Sequence, residues 1–237
     1  MKNKKVFLLL TIFIFSTILI GIQPVIATET ELLPVEDAYV NSYFSGTNYG
    51  ASDYLSVGCL IWGDDITFLK FDIPLSGKTI KSATIKTYWY NFMLTSRMDI
   101  CAGTTDDSWD ENTITWDNAP RYHYDLIASK LMGDNEWFNL NVLDYITEGE
   151  SFSVIIWEDG YSGEYLQGDS RESDFSLEPT ILIIVYEITI EDFIPFIIIG
   201  VVVVCGIVGI VFYLRRKKKR EQELREIKEP EENPYKI

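Results

Sequence analysis

Residues 82–91 read SATIKTYWYN, and their alternation decides the fold class. Ala83, Ile85, Thr87 and Trp89 fall on one side of an extended chain, and Thr84, Lys86, Tyr88 and Tyr90 on the other. Period two over this length is the pattern of a strand with one face in a core. Similar runs recur on both sides of it. Ala38-Tyr39-Val40, Tyr54-Leu55-Ser56-Val57 and Thr67-Phe68-Leu69-Lys70-Phe71-Asp72 precede it, and residues 98–102, 136–140, 152–158 and 180–188 follow. Turn formers separate them, among them Asn48-Tyr49-Gly50, Gly63-Asp64-Asp65, Ser76-Gly77 and Gly160. Short strands at this spacing predict an all-β fold, a jelly-roll-like antiparallel β-sandwich, over residues 28–192. Asn141 is placed to cap one helical turn over residues 142–147, with Gly149 just past its end.

The flanks have a different character. Residues 2–5 are basic enough to start a secretory signal, residues 6–20 are almost wholly apolar, and Val25-Ile26-Ala27 offers a cleavage point, so residues 1–27 predict a signal peptide. The alternative is an uncleaved anchor, which the short apolar run disfavours. Residues 193–214 carry no charge for 22 positions, and Arg215-Arg216-Lys217-Lys218-Lys219-Arg220 follows at once. This predicts one C-terminal transmembrane helix, with a basic and then disordered cytoplasmic tail over 215–237 in contact with anionic lipid. The expected location is therefore the cell membrane, single-pass, with the β domain outside.

Charge narrows the partners. The whole chain has 20 Lys plus Arg against 36 Asp plus Glu. Residues 28–192 hold 8 basic and 30 acidic residues, a net of −22. No basic patch exists for phosphates, so a nucleic-acid partner is excluded. The acidic loops invite Ca²⁺, which takes oxygen donors. Asp37, Asp106, Asp107 and Asp110 are the candidate metal ligands, the run Asp106-Asp107-Ser108-Trp109-Asp110-Glu111 being the densest. A plain solvated acidic loop is the other reading of that run. Cys59 and Cys101 both fall outside the membrane, where a bridge between them is permitted and two separate thiols are equally in keeping with the sequence.

Catalysis finds no signature. His123 is the sole histidine, and no nucleophile–His arrangement, zinc spacing or Gly-rich phosphate loop occurs. The expectation is a protein that is not an enzyme.

An ordered set of segments resembles the DNRLRE-type carbohydrate-binding modules. They are Glu36-Asp37-Ala38-Tyr39-Val40 with Asn48-Tyr49-Gly50, Phe68-Leu69-Lys70-Phe71-Asp72-Ile73, residues 108–120 (SWDENTITWDNAP), and Ser170-Arg171-Glu172 with Glu178-Pro179-Thr180. The resemblance covers about residues 34–186. It implies a jelly-roll-like sandwich on a surface protein that attaches to a polysaccharide or other surface glycan. Aromatic faces stack on sugars. Trp62, Trp157, Tyr161 and Tyr165 are the candidate platform residues, with Arg171 as a candidate polar contact. Packing competes with that role for each aromatic. Arg171 and Glu172 are as well suited to an internal ion pair, and Trp109 and Trp116 to the core. The acid surplus favours neutral or amino sugars, or an acidic glycan bridged through Ca²⁺. The alternative function is a structural subunit whose partner is another surface protein.

Overall fold

The computed structural model describes residues 26–60, 63–90, 96–120, 125–173, 179–188 and 190–228. It has two units, a β unit from Ile26 to Ile188 and a helix beyond it.

The β unit is two antiparallel sheets, as the alternation predicts. The smaller has the order β1 (Ile26–Leu32), β11 (Ile181–Ile188), β5 (Thr79–Trp89), β8 (Glu136–Asn141). The larger runs β10 (Tyr165–Asp169), β3 (Tyr54–Leu60), β4 (Gly63–Asp72), β9 (Ser151–Glu158), β6 (Met98–Thr105), β7 (Leu126–Met132), and β2 (Glu36–Asn41) pairs with β4. On β5 the inward set is the one read from the sequence. Ala83, Ile85, Thr87 and Trp89 are buried, while Thr84, Lys86 and Tyr88 are partly exposed. Leu182 lies opposite Ile85, and Ile184 opposite Ala83, so β11 presents the same face. Three strands escaped the sequence reading: β1, which crosses the expected cleavage point, and β7 and β10, which are short and broken by polar or small residues.

Most of the core lies between the sheets. Ile85, Trp89, Phe138 and Leu182 come from the smaller sheet, and Leu55, Leu69, Phe71, Ile100, Val154 and Ile156 from the larger. Each such side chain contributes about 1.5–3 kcal/mol by leaving water. Trp89 meets its polar need by donating its indole N–H to Thr87 Oγ1 at 2.6 Å. A second cluster, Ala38, Val40, Phe68, Trp109, Ile114 and Ile155, includes residues of the 106–120 loop packed on the opposite face of the larger sheet. Both tryptophans of that loop are core residues. Trp109 is buried, and Trp116 packs against the cluster. The Trp109 indole donates to Ser153 Oγ at 3.1 Å, not to its acidic neighbours.

Asn141 acts as foreseen, its Oδ1 accepting the Leu143 N–H at 3.2 Å, but the segment it caps is a turn rather than a helix. Cys59 and Cys101 are free thiols, so the permitted bridge is absent. Burial pushes Cys101 up to about 11.

The helix, α1, spans Ile190–Lys228 and contains Pro195. It covers the predicted segment and continues through the basic cluster. The end of the tail, expected to be disordered, lies outside the described residues from 229 onward. Among the described residues no helix is long and apolar enough to cross a membrane, so the spanning expectation gains no support there. Of the signal-peptide expectation over residues 1–27, residues 1–25 also lie outside the described residues, while Ile26 and Ala27 belong to β1.

Candidate functional site

The larger sheet has two ends of different chemistry. One gathers the loops that follow β2, β3 and β9. Asn41, the last residue of β2, organises the first of them. Its Oδ1 accepts the N–H groups of Tyr43 and Phe44 at 2.9 and 2.8 Å, and its Nδ2 donates to Asp65 Oδ1 at 2.6 Å. This Asn-centred turn points two adjacent aromatics outward. Tyr43 is 59% and Phe44 53% exposed, with their rings edge to face at 4.9 Å. The start of β4 lies directly against this loop. Gly63 has φ +109°, and a Cβ there would strike the backbone of Tyr43. Only glycine meets both demands.

The β9–β10 turn completes this end. Glu158 Oε1 accepts the Ser162 N–H at 2.9 Å, and the Gly163 N–H donates to the Cys59 carbonyl at 3.1 Å. Tyr161 stands on this turn 66% exposed. So Tyr43, Phe44 and Tyr161 are large aromatics on loops that meet around the β3–β4 hairpin.

The structure distributes the predicted sugar residues unevenly. Tyr161 is exposed at this end, on the β9–β10 turn. Trp157 is half-buried against the outer cluster, and Tyr165 is half-buried at the start of β10, opposite Gly58. Trp62 lies outside the described residues. Arg171 is not at this end at all. Sequence reasoning missed Tyr43 and Phe44. Their signal was an aromatic pair inside a Ser/Gly/Asn-rich loop, Asn41-Ser42-Tyr43-Phe44-Ser45-Gly46.

At the opposite end, Asp37 at the start of β2 meets Glu111 from the 106–120 loop and Arg171-Glu172 from the segment after β10. The Asp37 N–H donates to Glu111 Oε1 at 3.0 Å, and the Arg171 N–H to Asp37 Oδ2 at 2.8 Å. The Arg171 guanidinium holds Glu111 at 2.5 Å and Glu172 at 3.0 Å, and also donates to the Val35 carbonyl. The internal ion pair read from the sequence is present, and it belongs to a larger network. Burial raises the Asp37 carboxyl well above the usual carboxylate range, with Glu172 and Glu111 adding to the rise against the Arg171 N–H. Burial raises Glu111 likewise. A cavity of about 200 Å³ adjoins this network, lined by Leu33, Pro34, Asp37, Ser170, Arg171, Pro179 and Thr180.

Of the four candidate metal ligands, Asp37 alone enters this carboxylate cluster. Its companions are Glu111 and Glu172, one oxygen of each lying within 4.8 Å of the others. Asp106 and Asp110 serve their own loop: Asp106 Oδ1 accepts the Ser108 N–H at 2.7 Å, and Asp110 Oδ1 the Asn112 N–H at 3.0 Å. Asp107 is exposed beside them.

A two-sheet β unit that offers exposed aromatic loops at one end has the makings of a carbohydrate-binding module. The comparison with known families agrees: the model of carbohydrate-binding module family 96 matches residues 28–185, and the chain belongs to that family. It is also similar to a gellan lyase from a Bacillus species, 27% identical over 107 residues. That match covers 44% of this chain but 4% of the lyase, so the chain spans a small fraction of that relative's length.

Proposed function

We propose that the chain is a non-catalytic cell-surface carbohydrate-binding module of the DNRLRE type, taking glycan at the end formed by Tyr43, Phe44 and Tyr161. The exposure of these three side chains carries the reading: large aromatics usually bury themselves, and a sugar ring is the apolar face they suit. The 8 to 30 ratio of basic to acidic residues in 28–192 points to a neutral or amino sugar. The name of the Bacillus relative makes gellan, an anionic polysaccharide, the probe that sets this charge argument against family likeness.

We also propose that the module is displayed outside the cell after signal cleavage near Ala27 and held by residues 193–214, with Arg215 to Arg220 against lipid headgroups inside. The support is the 22 uncharged residues followed by six cations, and the exposure of Ile198, Val202, Ile207 and Phe212 on α1.

One observation favours a protein partner instead. Leu126 and Leu131, on the edge strand β7, are each more than half exposed.

Affinity electrophoresis of the full chain in detergent through gels containing gellan, a β-glucan or a chitin oligomer tests the glycan reading. Retardation by at least one supports it. Unchanged mobility in all, together with capture of a β7-dependent surface protein, would replace it with the partner reading.

A further inference from the structure

We infer that Asp37, Glu111 and Glu172 form a calcium site that clamps three distant segments of the β unit. This does not rest on the glycan reading, because the cluster lies at the other end of the larger sheet.

The first observation is geometric. One oxygen from each of the three carboxylates lies within 4.8 Å of the other two. Oxygens sharing one Ca²⁺ at about 2.4 Å can be separated by no more than about 4.8 Å, twice that distance. The spacing therefore allows the three oxygens to close on a single ion.

The second observation is independent of that spacing. Asp37 is 1% exposed, and its Oδ1 has no hydrogen-bond partner. Glu172 Oε2 is likewise buried and unpartnered. Among the described residues only one other buried side-chain oxygen lacks a partner, Glu158 Oε2 at the far end of β9. A buried carboxylate oxygen left bare costs about 1–3 kcal/mol or more, so two in one cluster call for a ligand. The nitrogen donors beside them are taken, and without a cation the two carboxyls can share only a proton between themselves. Arg171 is already committed to Glu111 Oε2, Glu172 Oε1 and the Val35 carbonyl, and its backbone N–H occupies Asp37 Oδ2.

Charge selects the ion. Once a cation displaces the proton that Asp37 otherwise holds, three ionised carboxylates against one guanidinium leave two negative charges, which one divalent cation cancels. All donors are oxygen, and no His or Cys joins them, which selects a hard cation over zinc or copper. Three carboxylates beside a cavity able to supply water suit calcium, since magnesium takes one or two carboxylates and keeps several waters in a strict octahedron. Glu172 is partly exposed, which gives the ion a way in.

The test is isothermal titration of the full chain in detergent with CaCl₂ after EDTA treatment and dialysis, alongside thermal unfolding. The expected result is one ion bound at or below about 1 mM, the weak end for extracellular modules, with a raised midpoint of unfolding. Glu172→Gln and Asp37→Asn should each weaken binding at least tenfold. Because Glu172 is partly exposed, E172Q keeps the test open if D37N fails to fold. The double variant Asp106→Asn, Asp107→Asn should bind as wild type. No saturable binding up to about 1 mM overturns the inference. So does wild-type affinity in folded E172Q, or a loss confined to the D106N/D107N protein.

Discussion

Gly50 and Glu111 touch through their backbones: a Cβ built on Gly50 would overlap the Glu111 carbonyl. That carbonyl also accepts from Asn48 Nδ2 at 2.7 Å, and the same Nδ2 reaches the Ile114 carbonyl at 2.7 Å. The loop after β2 thus grips the 106–120 loop, and the absent side chain at position 50 lets it close. Gly50 has no positive φ, so the demand is steric alone.

Gly50→Ala should therefore destabilise the β unit by about 1–3 kcal/mol, the range for forced overpacking. Gly46 lies in the same loop, and a methyl added there would meet nothing within 4 Å, so Gly46→Ala should be nearly neutral. Urea unfolding followed by tryptophan fluorescence separates the two. Equal midpoints would show that the two loops part without cost.

Lys70 is a buried cation with its needs met on one side of β4. Its Nζ pairs with Glu36 at 2.8 Å, donates to the Trp109 carbonyl at 2.5 Å, and sits 4.6 Å from the centre of the Trp109 ring. Lys70→Met leaves Glu36 without its partner, and the expected loss is about 3 kcal/mol. Adding Glu36→Gln should recover part of it, since the stranded charge is then gone. A double variant no more stable than K70M would show that packing under Trp109 is what Lys70 supplies.

How much of this was legible beforehand differs by feature. The inward set of β5 was, because alternation is local and Ala83 to Trp89 carry it in seven residues. The edges were not: β7 reads Leu-Ile-Ala-Ser-Lys-Leu-Met, with exposure at both leucines, and shows no clean period. The Asp37–Glu111–Glu172 cluster was out of reach, since its members are 74 and 61 positions apart in a domain with 30 acids. The dense run 106–111 drew attention instead, yet its aspartates mostly hold their own turn together. Arg171–Glu172 was readable because the partners are adjacent.

Thiol chemistry gives a third check. Burial, with Asp64 beside it, pushes Cys59 up to about 12, and burial pushes Cys101 up to about 11. Neither should react with a disulfide reagent at neutral pH in the folded protein, because the thiolate is the nucleophile. Both should react on denaturation. Rapid labelling of the native protein at either position would contradict the packing around β3 and β6.

Asp65 supplies a pH dependence. It is buried at the head of β4, accepting from Asn41 Nδ2 and Ser56 Oγ, each at 2.6 Å. Burial raises its carboxyl above the ordinary aspartate range despite those two donors. The folded state therefore holds a proton more firmly than the unfolded chain. Its contribution to stability is full below the unfolded value and is lost as pH rises through the folded one. Asp65→Asn removes the titration and keeps an acceptor for Asn41. The stability of D65N relative to wild type should improve between pH 4 and pH 7, whatever constant offset the amide introduces. Parallel stability–pH curves for the two proteins would mean that Asp65 titrates alike in both states.

The aromatic end makes the last prediction. Tyr43, Phe44 and Tyr161 are more than half exposed, so their removal costs little core packing. The triple variant Tyr43→Ala, Phe44→Ala, Tyr161→Ala should unfold within about 0.5 kcal/mol of wild type, as surface changes do. If the three stack on sugar, each at about 0.5–1.5 kcal/mol beyond area, glycan affinity should fall at least tenfold. Trp157→Phe separates platform from scaffold: because Trp157 is half-buried against the outer cluster, the change should lower stability more than it lowers affinity. Full glycan affinity in the triple variant would remove this end from the binding role, and a matching loss of stability would show that these rings are held by the fold rather than offered by it.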